Sequence, residues 1–440
     1  MKKYDIAVIG SGPAGFSAAV RASQLGAGVV LFEKSEIGGT CLNRGCIPTK
    51  FFWQALKIKQ KIKKSYEYGF KASLEPFSFA DIAAKKDKAV SNIAKGMEMI
   101  LLSHSVETVK SEVFFKDKNT LCSGAGEIFA DKIVIACGSI PLQIKGFSFD
   151  GQKIINSDDF LNLKEIPESV LIIGGGVIGV ETAFLLSEFE SRVCLAECAA
   201  SLLANEDYEI SSEITKNLQR RGVEVLTSCF NALEIAANYD KVLIAAGRAP
   251  CLALSLENAG IETDAKGFIK TDGFCRTNIE NIYAAGDIAG KNLLAFTAQN
   301  EGAAAAENAV SGNKIVLDNE IVPSVIFSTP PAASIKVKNY GDYKNAVFGK
   351  FPYTASGRAF IENERAGFIK CAADKETGKP LAFWIIGANA DEIINSAAQI
   401  LKNGAKGLKR ELFFHPSISE GLFNAYEDAF GKCTEKAMIK

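Results

Sequence analysis

The first hydrophobic stretch, Asp5-Ile6-Ala7-Val8-Ile9, runs without a polar break into Gly10-Ser11-Gly12-Pro13-Ala14-Gly15. Apolar residues then recur at helical spacing over Phe16–Leu25, and a second apolar run, Gly28–Phe32, ends at Glu33. A short continuous run bounded by turn residues predicts a strand buried on both faces, and the 3.6-residue period predicts a helix. Strand, glycine loop, helix, strand and acid together make the full dinucleotide-binding pattern. Gly10 permits the tight turn, Gly12 lets the backbone approach a pyrophosphate, and Gly15 lets the helix pack close to the sheet. The helix start offers free N–H groups to phosphates. Glu33, about twenty residues downstream, is expected to accept both ribose hydroxyls.

The pattern returns further along. Ser169–Ile173 reads as a strand, Gly174-Gly175-Gly176-Val177-Ile178-Gly179 as the loop, Val180–Phe189 as a helix, and Arg192–Ala196 as a strand ending at Glu197. Two such motifs imply two dinucleotides, a flavin adenine dinucleotide (FAD) and a nicotinamide dinucleotide, the pair needed to pass a hydride and then two electrons. A carboxylate at Glu197 bonds a free 2′-hydroxyl and repels a 2′-phosphate. The next residues are Cys198-Ala199-Ala200, with no Arg or Lys, and Arg192 stands at the far end of the strand, so NAD is expected. Three more apolar runs end in glycine turns: Ile133–Ala136 before Gly138, Val242–Ala246 before Gly247, and Ile282–Ala285 before Gly286-Asp287. Asp287 is expected to meet a ribityl hydroxyl or a phosphate-adjacent amide, the lesser alternative being a plain strand-end turn.

Length and composition narrow the class. The 440 residues exceed what one core normally supports, so two to four domains are expected. The chain is 48% apolar and 23% charged with net charge −1, so no basic field suggests nucleic acid. The apolar run Val170–Val180 is too short and too glycine-rich to cross a bilayer. Met1-Lys2-Lys3 before an apolar run imitates a secretory leader, but Gly10, Gly12, Pro13 and Gly15 break it, so no leader is expected. The eleven cysteines then read as reduced cytosolic thiols.

Two of them stand out. Cys41 and Cys46, within Gly39-Thr40-Cys41-Leu42-Asn43-Arg44-Gly45-Cys46-Ile47-Pro48-Thr49-Lys50, lie between the first glycine loop and a helical stretch. That placement suits a redox-active disulfide beside a flavin. No His or further Cys stands near to complete a four-ligand zinc site, so no metal is expected. Histidine is scarce: His104 at a helix end reads as a surface residue, whereas His415 precedes Pro416 and has Glu420 five positions on. A histidine held by a carboxylate is the usual acid/base pair, and a thiol pair must exchange protons.

Together these motifs resemble the flavin-dependent pyridine-nucleotide disulfide oxidoreductases, from Lys3 to about Lys432, and the cysteine segment looks most like dihydrolipoamide dehydrogenase. The resemblance implies an α/β fold of two Rossmann-like dinucleotide-binding domains, for FAD and NAD, plus a C-terminal α+β dimerisation domain. Its expected segments are 1–143 and 271–320 for FAD, 144–270 for NAD and 321–440 for the dimer interface. Cys41 would be the interchange thiol and Cys46 the charge-transfer thiol. Lys50 would approach the flavin and pair with Glu181. His415, oriented by Glu420, would come from the other subunit of a homodimer. FAD contacts would include Pro13, Ala14, Lys34, Gly39 and Thr40, together with Val113, Gly138, Asp287 and Ala295. NAD would meet Gly174, Gly176, Ile178, Gly179, Glu197 and Gly247. A small dithiol or disulfide would be the substrate, possible carriers being a lipoyl domain of a 2-oxoacid dehydrogenase or glycine cleavage complex.

The chain also departs from that family. Phe413 and Phe296 stand where histidines are common, and Pro331 where glutamate is common. Leu226–Lys241 is too short for the usual three-stranded meander. A single Cys433 weakens the likeness to mercuric reductases, which carry a paired-cysteine tail. Two alternatives stay open: an NADH-dependent reductase of another disulfide or a metal ion, and a flavoprotein scaffold without catalysis.

Overall fold

The computed structural model describes residues 1–317 and 321–437. They form two compact units: Met1–Pro167 with Lys241–Leu317, and Glu168–Asp240 with Asp318–Lys440. The expected 320/321 boundary abuts residues outside the described ones. Residues 144–167 and 241–270, grouped by sequence with the second dinucleotide motif, fall in the first unit. Ile154–Ile155 pairs in parallel with Lys241–Ile244, Lys86 donates to the Leu161 carbonyl at 2.8 Å, and Leu254 and Leu256 join the first unit's core.

The apolar runs of the first unit become a parallel sheet buried on both faces. Lys2–Ile9 sits between Val29–Glu33 and Gly126–Ile135, parallel to both. Glu107–Lys110 extends one side, and Ile282–Ala284 lies parallel to Ile133–Ile135. The helix Pro13–Gln24 begins with proline, whose missing N–H costs nothing at that position. The alanine-rich helix Ala295–Ser311 crosses it closely. A Cβ on Gly302 would lie 2.0 Å from the Ala14 carbonyl oxygen, so only glycine fits there.

In the second unit Glu224–Leu226, Arg192–Ala196 and Ser169–Ile173 are parallel neighbours beside the helix Val177–Glu188. Where the meander was expected to be missing, the connection is a helical turn, Ala232–Ile235, followed by Ala236–Asn238. The C-terminal segment is an antiparallel sheet in the order Ser324–Ile326, Ala332–Lys336, Pro380–Ile386, Phe368–Asp374, Ala346–Pro352. Helices Ala390–Asn403 and Glu420–Ala429 bury their apolar faces against it. Charges join this sheet to the second motif: Lys370 meets Asp207 at 2.9 Å and Glu209 at 2.8 Å, and Lys350 meets Glu209 at 2.6 Å.

The closeness at Gly302 yields a prediction. Gly302→Val must separate the Pro13–Gln24 and Ala295–Ser311 helices, at a cost of roughly 2–4 kcal/mol. Urea unfolding followed by circular dichroism should show the lower midpoint; an unchanged midpoint contradicts this packing.

Candidate active site

The first glycine loop is closed by its own backbone. Gly10 has φ +98°, and a Cβ on Gly15 would lie 1.7 Å from the Gly10 carbonyl oxygen. Gly12, at the N-cap, is the exception: a Cβ there would meet nothing within 4 Å. That open face at a helix start suits a pyrophosphate. Glu33 accepts hydrogen bonds from Ser11 N at 2.9 Å, Ser11 Oγ at 2.6 Å and Ser35 N at 2.8 Å. A carboxylate has about four lone-pair positions. The expectation that Glu33 takes both ribose hydroxyls therefore meets a carboxylate largely engaged with its own loop. Ser11, fully buried, was not singled out from sequence.

The same serine reaches the cysteine segment. Gly38 N donates to Ser11 Oγ at 3.2 Å. Gly39, at φ +57°, lies so close to the loop that a Cβ would fall 2.7 Å from Gly12 Cα. Cys41 lies on the short helix Gly39–Arg44, and Cys46 opens the helix Cys46–Lys63. Asn43 Nδ2 donates to the Ile37 and Gly39 carbonyls, both at 3.0 Å, and Thr49 Oγ1 donates to the Gly45 carbonyl at 2.6 Å. Thr40 turns its carbonyl towards Gly45, leaving 3.0 Å for a Cβ there. The hydrogen bond with Cys46, then burial, pushes the Cys41 thiol far above its usual range; the Lys50 charge opposes this. Cys46 sits at a helix start, where the field favours a thiolate.

The other FAD candidates line the same unit. Asp287 accepts from Ser139 Oγ, and Ser139 Oγ accepts from Arg248 Nε at 2.7 Å. The Arg248 guanidinium is 3.9 Å from Asp287. Asp287 is thus held by a serine and an arginine that the sequence did not flag. Gly286 N donates to buried Glu301 at 2.8 Å, another unforeseen partner. Lys34 faces Glu112 at 3.6 Å, Val113 is buried in a strand, and Ala295 opens the long alanine-rich helix. Gly138 and Gly247 have φ +72° and +122°, each turning the chain out of a strand.

The second motif repeats the arrangement. A Cβ on Gly179 would lie 1.9 Å from the Gly174 carbonyl oxygen, and one on Gly176 would meet nothing within 4 Å. Ile178 is on the first turn of the following helix. Glu197 accepts from Gly175 N at 2.6 Å and Ala199 N at 2.7 Å. Burial works against its charge, but these amides and the Cys198 thiol hold its carboxyl below the usual range. The shortened connection runs alongside: Cys229 N donates to the Glu197 carbonyl at 2.9 Å. Arg192 is engaged elsewhere, donating to the Asn238 carbonyl and lying over the Tyr239 ring. Glu181 is buried in the helix and accepts from Phe327 N at 2.9 Å.

The structure brings His415 and Glu420 together. His415 Nδ1 lies 2.9 Å from Glu420 Oε1, and Ser417 N donates to Glu420 Oε2 at 2.8 Å. Glu420 is the first residue of its helix. The imidazole is 81% exposed, so its other nitrogen is open to a reacting group. Phe413 packs against Phe423 beside this pair. Among the described residues, no group of three or more His, Cys, Asp or Glu side chains could hold a metal ion, and no helix is long and apolar enough to cross a membrane.

Residues 4–303 match the pyridine nucleotide-disulphide oxidoreductase family, and residues 322–426 match that family's dimerisation domain. The chain belongs to this family of oxidoreductases. It is 33% identical to dihydrolipoyl dehydrogenase 3 of Haloarcula marismortui, over 98% of each chain. It is 35% identical to the dihydrolipoyl dehydrogenase of Geobacillus stearothermophilus, over 96% of each. Among solved structures, the HOCl-induced flavoprotein disulfide reductase RclA from Escherichia coli superposes with a TM-score of 0.85 at 26% identity, covering 96% of this chain and 99% of that one.

The buried Ser11 hydroxyl serves Glu33 and Gly38 at once. Ser11→Ala leaves the Gly38 N–H without its acceptor, at a cost of roughly 1–3 kcal/mol. A lower urea midpoint together with faster alkylation of Cys41 and Cys46 is the expected result. Unchanged values for both would show that the hydroxyl does not hold the cysteine segment.

Proposed function

We propose that this chain is a dihydrolipoyl dehydrogenase that oxidises a dihydrolipoamide-type dithiol with FAD as bound cofactor and NAD as acceptor. The observation that carries the proposal is the Cys41/Cys46 pair seated on the first glycine loop through the Gly39–Gly12 approach. The relatives of that name, matched over nearly the whole chain, support it. FAD fits the open face at Gly12, with Glu33 keeping room for one ribose hydroxyl beside its three loop hydrogen bonds; NAD fits the open face at Gly176 and the acid at Glu197. Bound FAD would supply the two-electron step between the thiol pair and the nicotinamide.

The chain's own residues handle sulfur and protons. With Cys41 and Cys46 joined as a disulfide, one substrate thiolate attacks Cys41 Sγ, and Cys46 leaves as thiolate. The second substrate thiol loses its proton to His415, held by Glu420, and attacks its partner sulfur. Cys41 is released as a thiol and the substrate leaves as a disulfide. The raised Cys41 and a Cys46 at a helix start suit these unequal roles. Lys50 and Glu181 would steady the cofactor side. Segments 1–143 and 271–320 would serve FAD, 144–270 NAD, and 321–440 the homodimer. A lipoyl domain would be the carrier, and the cytoplasm the location.

The deciding experiment is steady-state turnover. NAD with dihydrolipoamide should outpace NADH with glutathione disulfide or mercuric ion, and NADH should outpace NADPH in the reverse direction. Faster reduction of glutathione disulfide or mercuric ion would favour the reductase alternative instead. No turnover with any of these, in protein that retains flavin, would favour the scaffold.

The homodimer has its own test. A Cys41→Ser protomer mixed with a His415→Ala protomer should regain one complete site of two in the heterodimer. Mixed dimers that form but stay inactive would place the thiols and the imidazole of one site on a single chain.

A further inference from the structure

Nine cysteines besides Cys41 and Cys46 have no role in this chemistry, and two of the nine meet. Cys137 follows the central strand Gly126–Ile135, and Cys251 follows the short strand Arg248–Pro250. The strands Ser139–Pro141 and Arg248–Pro250 pair antiparallel, with Ser139 opposite Pro250. Cys251 N extends this ladder by donating to the Gly138 carbonyl at 3.1 Å. The ladder brings together two residues 114 apart in sequence: Cys137 Sγ lies 3.1 Å from the Cys251 carbonyl oxygen. Each thiol is the largest influence on the other's charge.

Their surroundings make them unequal. The hydrogen bond with Cys251, then burial, pushes the Cys137 thiol well up. The same hydrogen bond draws Cys251 down to about 6; burial opposes it, and Lys34 assists while Glu112 opposes. Cys251 is partly exposed. The partly exposed Cys251 is therefore the sulfur drawn towards the thiolate, and Cys137 the one kept as a thiol. The pair also adjoins the first glycine loop: a Cβ on Gly10 would lie 3.1 Å from Cys137 Cα.

We propose that Cys137 and Cys251 are a second dithiol/disulfide couple of this chain, closed by low-molecular-weight disulfides. The Cys251 thiolate attacks one sulfur of the small disulfide, whose S–S bond breaks to release one thiolate. Cys137 gives up its proton to that thiolate and attacks Cys251 Sγ. The mixed disulfide breaks, and the second small thiolate leaves. Two electrons pass from the pair to the small disulfide, which becomes two thiols. The new bond ties the Gly138 turn to the strand that carries Arg248. It therefore ties the segments of Ser139 and Arg248, the two partners of Asp287, to each other covalently, where the reduced form joins them by hydrogen bonds alone.

The test treats the full-length protein with glutathione disulfide, alkylates the remaining thiols and maps peptides without reduction. The expected result is a linked pair of peptides containing Cys137 and Cys251, with loss of two alkylatable thiols, while buried Cys194, Cys275 and Cys371 stay free. Cys137→Ser should stop at one glutathione on Cys251, and Cys251→Ser should leave Cys137 unmodified. The wild-type map decides the question even where a variant fails to fold. If Cys137 and Cys251 both stay alkylatable while Cys41 and Cys46 become linked, the couple does not exist. Separate glutathione adducts on Cys137 and Cys251, without a link, overturn it equally.

Discussion

Ser11 is the hinge of the first unit. Its amide and hydroxyl both reach Glu33, and its hydroxyl oxygen accepts from Gly38. One buried side chain thereby fixes the glycine loop to the end of its strand and the cysteine segment to the loop. Buried polar groups must be partnered, so neither link can relax without stranding a donor or an acceptor. The Gly39–Gly12 approach adds a steric lock on top of the polar one. The position of the thiols relative to the nucleotide loop is thus set by backbone contact rather than by long side chains.

The second unit uses the same solution with fewer parts. Glu197 takes an N–H from Gly175, the second residue of its loop, as Glu33 does from Ser11. Gly175 has no hydroxyl to extend the link further. The first loop holds the cysteine segment, and the second holds the Leu202–Leu203 turn, where Leu203 N donates to the Gly175 carbonyl at 2.9 Å. The shortened Leu226–Lys241 connection fits this economy: it bypasses a meander, yet its Cys229 amide still secures the residue that carries the acid.

What the sequence disclosed depended on how far apart the partners lie. Both glycine loops, their strands and their acids were legible because each motif is local and its spacing is set by strand and helix geometry. His415 and Glu420 were legible for the same reason. Ser139, Arg248, Glu301 and Gly302 were not, because each acts on a residue more than a dozen positions away, and nothing local marks a serine that will bridge an aspartate and an arginine. The ion pairs from Asp207 and Glu209 to Lys350 and Lys370 join segments that no linker composition announces.

The discontinuity of the first unit bears on how the chain comes off the ribosome. Its N-terminal motif emerges first, but the Ile282–Ala284 strand and the helix that carries Gly302 emerge only after most of the second motif has been made. Until then the helix Pro13–Gln24 has one apolar side uncovered, and the edge of Ile133–Ile135 lacks its parallel neighbour. Long-range parallel pairing of this kind is slow to close and leaves sticky surface exposed meanwhile. Completion of the first unit therefore waits on synthesis of Glu168–Asp240, and the nascent chain carries that uncovered apolar surface through the interval.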